Sequence, residues 1–215
     1  MPVRVARPLG VVALCAAVTL VVLGFVFAGT SATAEFGIPV EHRPLQSWEL
    51  LAPAVDWTGE PDGAVVVLAT LVVVFLRAGN RRAAVLAVAG PAATVTVTTV
   101  MKPLVGRTIN DGYLSFPSGH TASATAFALV AMLVLVGGNP ARAWLLAVVP
   151  TAAGAAMAWA QVLLNAHYPT DTIGGFCAAL AVVPAVAWVI DRAADRRSRS
   201  TGGRSAAPGE GPRIG

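Results

Sequence analysis

Apolar residues fall in long blocks separated by short polar stretches. Six blocks stand out, at 9–29, 64–76 with its flanking residues, 83–101, 121–136, 143–164 and 172–190. A helix that crosses a bilayer needs about 20 mostly apolar residues. Each block therefore predicts a spanning helix, the second and fourth borrowing residues from their flanks. The pattern predicts an all-α protein, a six-transmembrane-helix bundle over residues 1–190. Beyond it, the stretch "DRAADRRSRSTGGRSAAPGEGPRIG" has no apolar periodicity and is rich in Gly, Pro, Ser and Arg. It predicts a disordered basic cytoplasmic tail at 191–215.

Composition supports the membrane reading. The 215 residues are 56% hydrophobic and only 12% charged, against about 25% charged in ordinary soluble domains. Cys15 and Cys177 both lie inside apolar blocks, where a free cysteine behaves as a small buried hydrophobe. Arg4 and Arg7, an apolar run and Ala32-Thr33-Ala34 also fit a secretory signal with an A-x-A cleavage site. The run is longer than the usual 7–15 residues of such a signal, so an uncleaved first helix is the expectation. The loop 30–63 holds six of the eleven acids: Glu35, Glu41, Glu49, Asp56, Glu60 and Asp62. Within it, Trp48, Leu51 and Val55 at roughly helical spacing predict a short interfacial helix, with Trp48 and Trp57 as headgroup-level anchors.

Charge then sets the topology. The formal net charge is +4, but the arginines do not form one patch. They cluster at Arg4/Arg7, Arg77/Arg81/Arg82, Arg142 and the tail, at alternate ends of the six blocks. By the positive-inside tendency, both termini are expected in the cytoplasm of a cell-membrane protein. This distribution is a topology signal and implies no nucleic-acid partner.

The remaining polar residues sit where a membrane protein should avoid them. Lys102 and Arg107 follow the third block, Ser118 and His120 precede the fourth, and His167 and Asp171 lie between the fifth and sixth. On the six-span topology all three places share the outer face, and clustered polar groups at that depth are usually functional. Asp171 is four residues from His167, one helical turn away, and can fix the ring's tautomer. Lys102 and Arg107 are cationic donors suited to phosphate. "PSGH" at a helix start offers free N–H groups to an anion, and Gly119 permits close approach. Phosphoryl transfer on an anionic head group fits this set. Three further features carry no chemistry: the threonines of "TVTVTTV" satisfy helix backbone, Tyr168-Pro169 forms a turn, and His42 is a solvated histidine. A metal triad of His120, His167 and Asp171 is chemically allowed.

These residues resemble the type 2 phosphatidic acid phosphatase superfamily of integral membrane lipid phosphatases. Its second motif is complete as Pro117-Ser118-Gly119-His120, and its third ends in "HYPTD", with His167 and Asp171. Its first motif begins at Lys102, but the family's Arg-Pro positions hold Ile109 and Asn110, and the Ser-Arg of the third motif is Ala160-Gln161. The resemblance implies a phosphoric ester or diphosphate hydrolase acting on a membrane lipid phosphate, with no cofactor and no metal. His167 would be the nucleophile, Asp171 its orienting partner and His120 the general acid and base. Lys102, Arg107, Ser118, Gly119 and Gln161 would hold phosphate, Arg107 and Gln161 in place of the missing arginines. Those departures also motivate an alternative, a catalytically impaired lipid-phosphate binding protein or transporter. A metal-dependent hydrolase built on the two histidines is a second one. Lipid identity and oligomeric state are left open.

Overall fold

The computed structural model describes residues 3–39, 45–110, 112–137 and 139–202; for residues 3–6, Trp48 and residues 197–202 it describes the backbone alone. Seven α-helices are present in this part: α1 (Val3–Val26), α2 (Ala52–Trp57), α3 (Pro61–Arg77), α4 (Arg81–Val105), α5 (Gly119–Val136), α6 (Leu145–Leu163) and α7 (Pro169–Gly202). Two small antiparallel hairpins join them, β1 (Ala34–Glu35) with β2 (Ile38–Pro39), and β3 (Thr108–Ile109) with β4 (Tyr113–Leu114). The fold is an all-α bundle, as the sequence predicts.

Among the described residues, α1, α4, α5, α7 and the segment Pro140–Leu163 are each long and apolar enough to cross a membrane. The expected sixth span has a different form. α3 qualifies only together with the segment Glu49–Trp57, from which it is bent by 64°. Alone, its 17 residues reach ~26 Å at ~1.5 Å per residue. The break falls at Thr58-Gly59-Glu60, ahead of Pro61, which cannot donate to a preceding turn. The segment expected to hold a short helix forms a 3-10 turn (Ser47–Leu51) running into α2, which packs against α6. Trp57 is half exposed. The Trp48 side chain and His42 lie outside the described residues.

α7 is the centre of the bundle, packed against α1, α4 and α5, while α6 covers α5. The core is made of small side chains, among them Ala87, Ala126, Ala178 and Ala179, with Leu129, Val130 and Val183 between them. The outward faces carry the larger apolar groups, including Leu14, Phe25, Val65, Val74, Val148 and Val189. Small groups inside and large ones outside suit helices solvated by lipid, where close backbone approach drives packing. Thr94 and Thr96 donate to the carbonyls of Gly90 and Ala92, four residues back, as expected for hydroxyls in an apolar span. Cys177 is buried, but Cys15 is exposed on the outer face of α1, contrary to the expectation that both are interior. Both are free.

The last helix does not stop at the apolar boundary. It continues from Ile190 to Gly202, because "DRAADRRSRS" contains no Gly or Pro and is rich in Ala and Arg, which favour helix. The helix thus runs on through 191–202, the start of the segment expected as a tail, and residues 203–215 lie outside the described residues.

The crossing of α5 and α7 is set by glycine. A Cβ on Gly175 would stand 2.2 Å from the Ser118 carbonyl oxygen, and one on Gly174 would meet the Phe116 ring at 2.6 Å. The first obstacle is backbone and cannot swing aside. Gly175→Ala is expected to cost about 1–3 kcal/mol, the range for overpacking, read as a lowered thermal unfolding midpoint in detergent. An unchanged midpoint would show that the two helices are free to separate.

Candidate functional site

The chain ends its helices where the polar residues are. The last turn of α4, the first turns of α5 and α7, the end of α6 and the α2–α3 break all meet at one end of the bundle. By connectivity, Arg77, Arg81, Arg82, Arg142 and Arg192 lie towards the other end.

Ser118 starts α5. Its side chain accepts from the Thr121 N–H at 3.3 Å, and its own N–H donates to the Asp171 carbonyl at 2.9 Å. Ser118 thus caps α5, and its N–H bond to Asp171 fastens the "PSGH" turn to α7. Beside Gly119, a would-be Cβ would meet the Thr98 hydroxyl at 3.8 Å, ordinary van der Waals contact. Lys102, in the last turn of α4, donates from Nζ to the Leu114 carbonyl at 3.0 Å.

Asp171 is completely buried. Its Oδ2 accepts from the Tyr168 N–H at 3.0 Å and lies 3.5 Å from His167 Nδ1, at the edge of hydrogen-bond reach. Its Oδ1 accepts from Arg107 Nη1 at 2.7 Å. His167 is itself buried, and that burial pushes its imidazole below the ordinary histidine value. Asp171 opposes this shift, while the charges of Lys102 and His120 add to it. The neutral ring therefore persists to lower pH than in a free histidine. Neutral imidazole is the nucleophilic form. With His167 as the nucleophile that the resemblance implies, the acid limb of kcat/KM is expected below the ordinary ~6.5. Asp171→Asn removes the opposing carboxylate and should move that limb lower still. A limb above the ordinary value would contradict the assignment.

Arg107 is placed otherwise than expected. It is 2% exposed and its guanidinium is sandwiched 4.1 Å from the centroids of Phe27 and Tyr168. Nη1 donates to Asp171 and to the Thr170 hydroxyl, and Nη2 donates to Glu35 Oε1 at 2.8 Å. Glu35 also accepts from the Thr170 N–H and hydroxyl. Both terminal nitrogens are thus turned to carboxylates and Nε is buried without a partner, so the arginine expected at phosphate stands beneath Asp171.

Gln161 is buried near the end of α6, and its Nε2 donates to Asp56 Oδ1. It too is turned to a carboxylate. Asp56, in the last turn of α2, and Glu60, just ahead of α3, flank His120, whose Nε2 lies 3.8 Å from Asp56 Oδ1 and 3.5 Å from Glu60 Oε1. Gly59 sits directly on the imidazole, since a Cβ there would be 2.5 Å from Cδ2. Among the described residues, one group of three potential metal ligands forms, and it is Asp56, Glu60 and His120. The donor atoms of His120, His167 and Asp171 do not come together in this way, and both Asp171 oxygens are engaged elsewhere.

Sequence reasoning thus missed Glu35, Asp56, Glu60 and Thr170. Asp56 and Glu60 carried one usable signal, carboxylates four residues apart immediately before an apolar block. Glu35 carried none, because its role depends on a hairpin turned by Phe36-Gly37 with both φ angles positive, at 51° and 74°, as a two-residue turn of this kind requires.

The bundle of membrane-length helices thus gathers two histidines, an aspartate and a lysine at one end. The chain belongs to the PAP2 superfamily, whose family model matches residues 10–195. That superfamily generally comprises phosphoric ester hydrolases, and with its long apolar helices the chain is a multi-pass membrane protein. Comparison with curated proteins finds no match.

Proposed function

We propose that the protein is a lipid phosphatase of the cell membrane, hydrolysing a phosphomonoester or diphosphate of an isoprenoid or phosphatidic acid-type lipid. The carrying observation is the chain His167–Asp171–Arg107, a neutral buried imidazole held against a carboxylate that is itself held by a buried guanidinium. His167 attacks phosphorus and forms a phosphohistidine as the lipid oxygen leaves. His120 protonates that oxygen and then takes a proton from the water that releases phosphate. Lys102, the Gly119 N–H and the Ser118 turn stabilise charge on the phosphoryl oxygens. Arg107 acts through Asp171 as a positioning residue. A cavity of about 550 Å³ lined by Ile38, Pro39, Trp159, Val162, Leu163 and Thr172 adjoins the first turn of α7. Its apolar walls suit a lipid chain whose head group reaches His167. The arginine distribution favours cytoplasmic termini and a site on the outer face.

The test is phosphate release from a panel of lipid monophosphates and diphosphates in detergent, with acid-labile label trapped on the protein during turnover. Label on wild type that is lost in His167→Ala supports the reading. Tight lipid-phosphate binding with neither label nor release would favour the binding-protein alternative, which Ile109 and Gln161 at the motif-arginine positions motivate.

A further inference from the structure

We propose that Asp56, Glu60 and His120 form a binding site for a divalent transition cation of the Zn²⁺ class, and that the cation competes with the catalytic proton on His120. The competition rests on the role proposed above for His120; the binding site does not.

Three observations carry it. First, the donor atoms already stand at near-coordination spacing. Ligand atoms about 2.0–2.2 Å from a tetrahedral zinc are about 3.3–3.6 Å from one another, and His120 Nε2 lies 3.5 Å from Glu60 and 3.8 Å from Asp56. All three ligand atoms lie within 4.8 Å of one another. Second, the surrounding polar atoms lack partners. His120 Nε2 is a buried atom without a hydrogen bond, and Gln161, 1% exposed, turns its amide to Asp56 with Oε1 unpartnered. A buried amide oxygen with nothing to accept costs free energy, and a cation or its bound water beside Asp56 satisfies it. Third, the charge is unbalanced. The buried Arg107 is turned to Asp171 and Glu35, so among the described residues the two carboxylates on His120 have no arginine in their ion pairs. One imidazole nitrogen with two carboxylates selects borderline transition cations over Mg²⁺ or Ca²⁺, which prefer all-oxygen shells.

The consequence follows from the lone pair on Nε2. A cation held there removes the position from which a proton would pass to the leaving oxygen, so phosphate release falls as the site fills. Gly59 lets the α2–α3 break lie against the imidazole and bring Asp56 and Glu60 to it together.

Calorimetric titration of the full chain, purified in detergent without a polyhistidine tag, with Zn²⁺ tests the site independently of activity. Wild type is expected to bind Zn²⁺, with affinity at least tenfold lower in Glu60→Gln and Asp56→Asn, and with Mg²⁺ unable to compete at equal concentration. Glu60 is half exposed, so Glu60→Gln should fold, which an unchanged unfolding midpoint would confirm. No binding by wild type, or equal binding by both variants, overturns the site. Zn²⁺ should also inhibit phosphate release, with Glu60→Gln at least tenfold less sensitive relative to its own zinc-free rate. Binding that obeys the variants without inhibition overturns the competition alone. Binding in a protein that releases no phosphate under any condition leaves the site standing and removes the phosphatase reading.

Discussion

His167→Ala is expected to lower phosphate release from lipid phosphate by at least about 10⁴-fold, the largest effect of any single substitution at the site. The estimate follows from what the residue is asked to do. Loss of a nucleophile in an enzyme whose groups act as a unit removes nearly the whole catalytic advantage, of order 10⁶ where measured. A general acid alone contributes about 10²–10⁴, so His120→Ala should fall less far. The two variants also differ in kind. His120→Ala retains the attacking ring and should still accumulate label on the protein, more slowly formed and more slowly lost. His167→Ala should show none. Because His167 is buried against Asp171 rather than exposed, size-exclusion elution and unfolding midpoint must accompany the rates. A folded His167→Ala protein with wild-type turnover would remove the mechanism entirely.

The second large effect concerns stability more than rate. Arg107→Ala leaves the buried Asp171 and the partly buried Glu35 with their common cation gone, and removes a guanidinium packed between two rings. Breaking a buried pair in this way typically costs about 3–5 kcal/mol. The variant is expected to unfold at markedly lower temperature and to lose activity with it. Arg107→Lys should recover little, since a single ammonium cannot bridge two carboxylates while stacking on Phe27 and Tyr168. The contrary result is informative. An Arg107→Ala protein of normal stability, altered only by a raised KM, would return Arg107 to the phosphate.

The difference between these readings of Arg107 shows where sequence reasoning ends. Block length and hydropathy foretold the helices, because a bilayer demands a fixed length of apolar chain whatever lies around it. "PSGH" and "HYPTD" foretold which helix ends would meet, because a helix start is a local feature with local chemistry. Arg107 was visible as a cation near the site, but a cation's partner is a matter of tertiary geometry. Glu35 is 72 residues away in sequence and reaches Arg107 only through a hairpin that nothing in the hydrophobic pattern marks. Asp56 and Glu60 were hidden for a related reason. They sit at a bend between two short helices, and an interfacial segment leaves no apolar block to announce which way its carboxylates turn. Gln161 stands at a position where the resemblance leads one to expect arginine, and its actual partner is the aspartate delivered by that bend.

Tyr168 has one more implication, for when the chain could be processed. Its hydroxyl accepts from the Ala32 N–H and faces the carbonyls of Ala32 and Thr108, while Ala34 pairs with Pro39 and Glu35 binds Arg107. The Ala32-Thr33-Ala34 tripeptide that matches a peptidase recognition pattern is thus bonded into the floor of the site once the chain has folded. A peptidase cutting after it would have to act before that floor formed. The chain it released would begin at the carboxylate that secures Arg107, and would leave behind the helix that lies along α7.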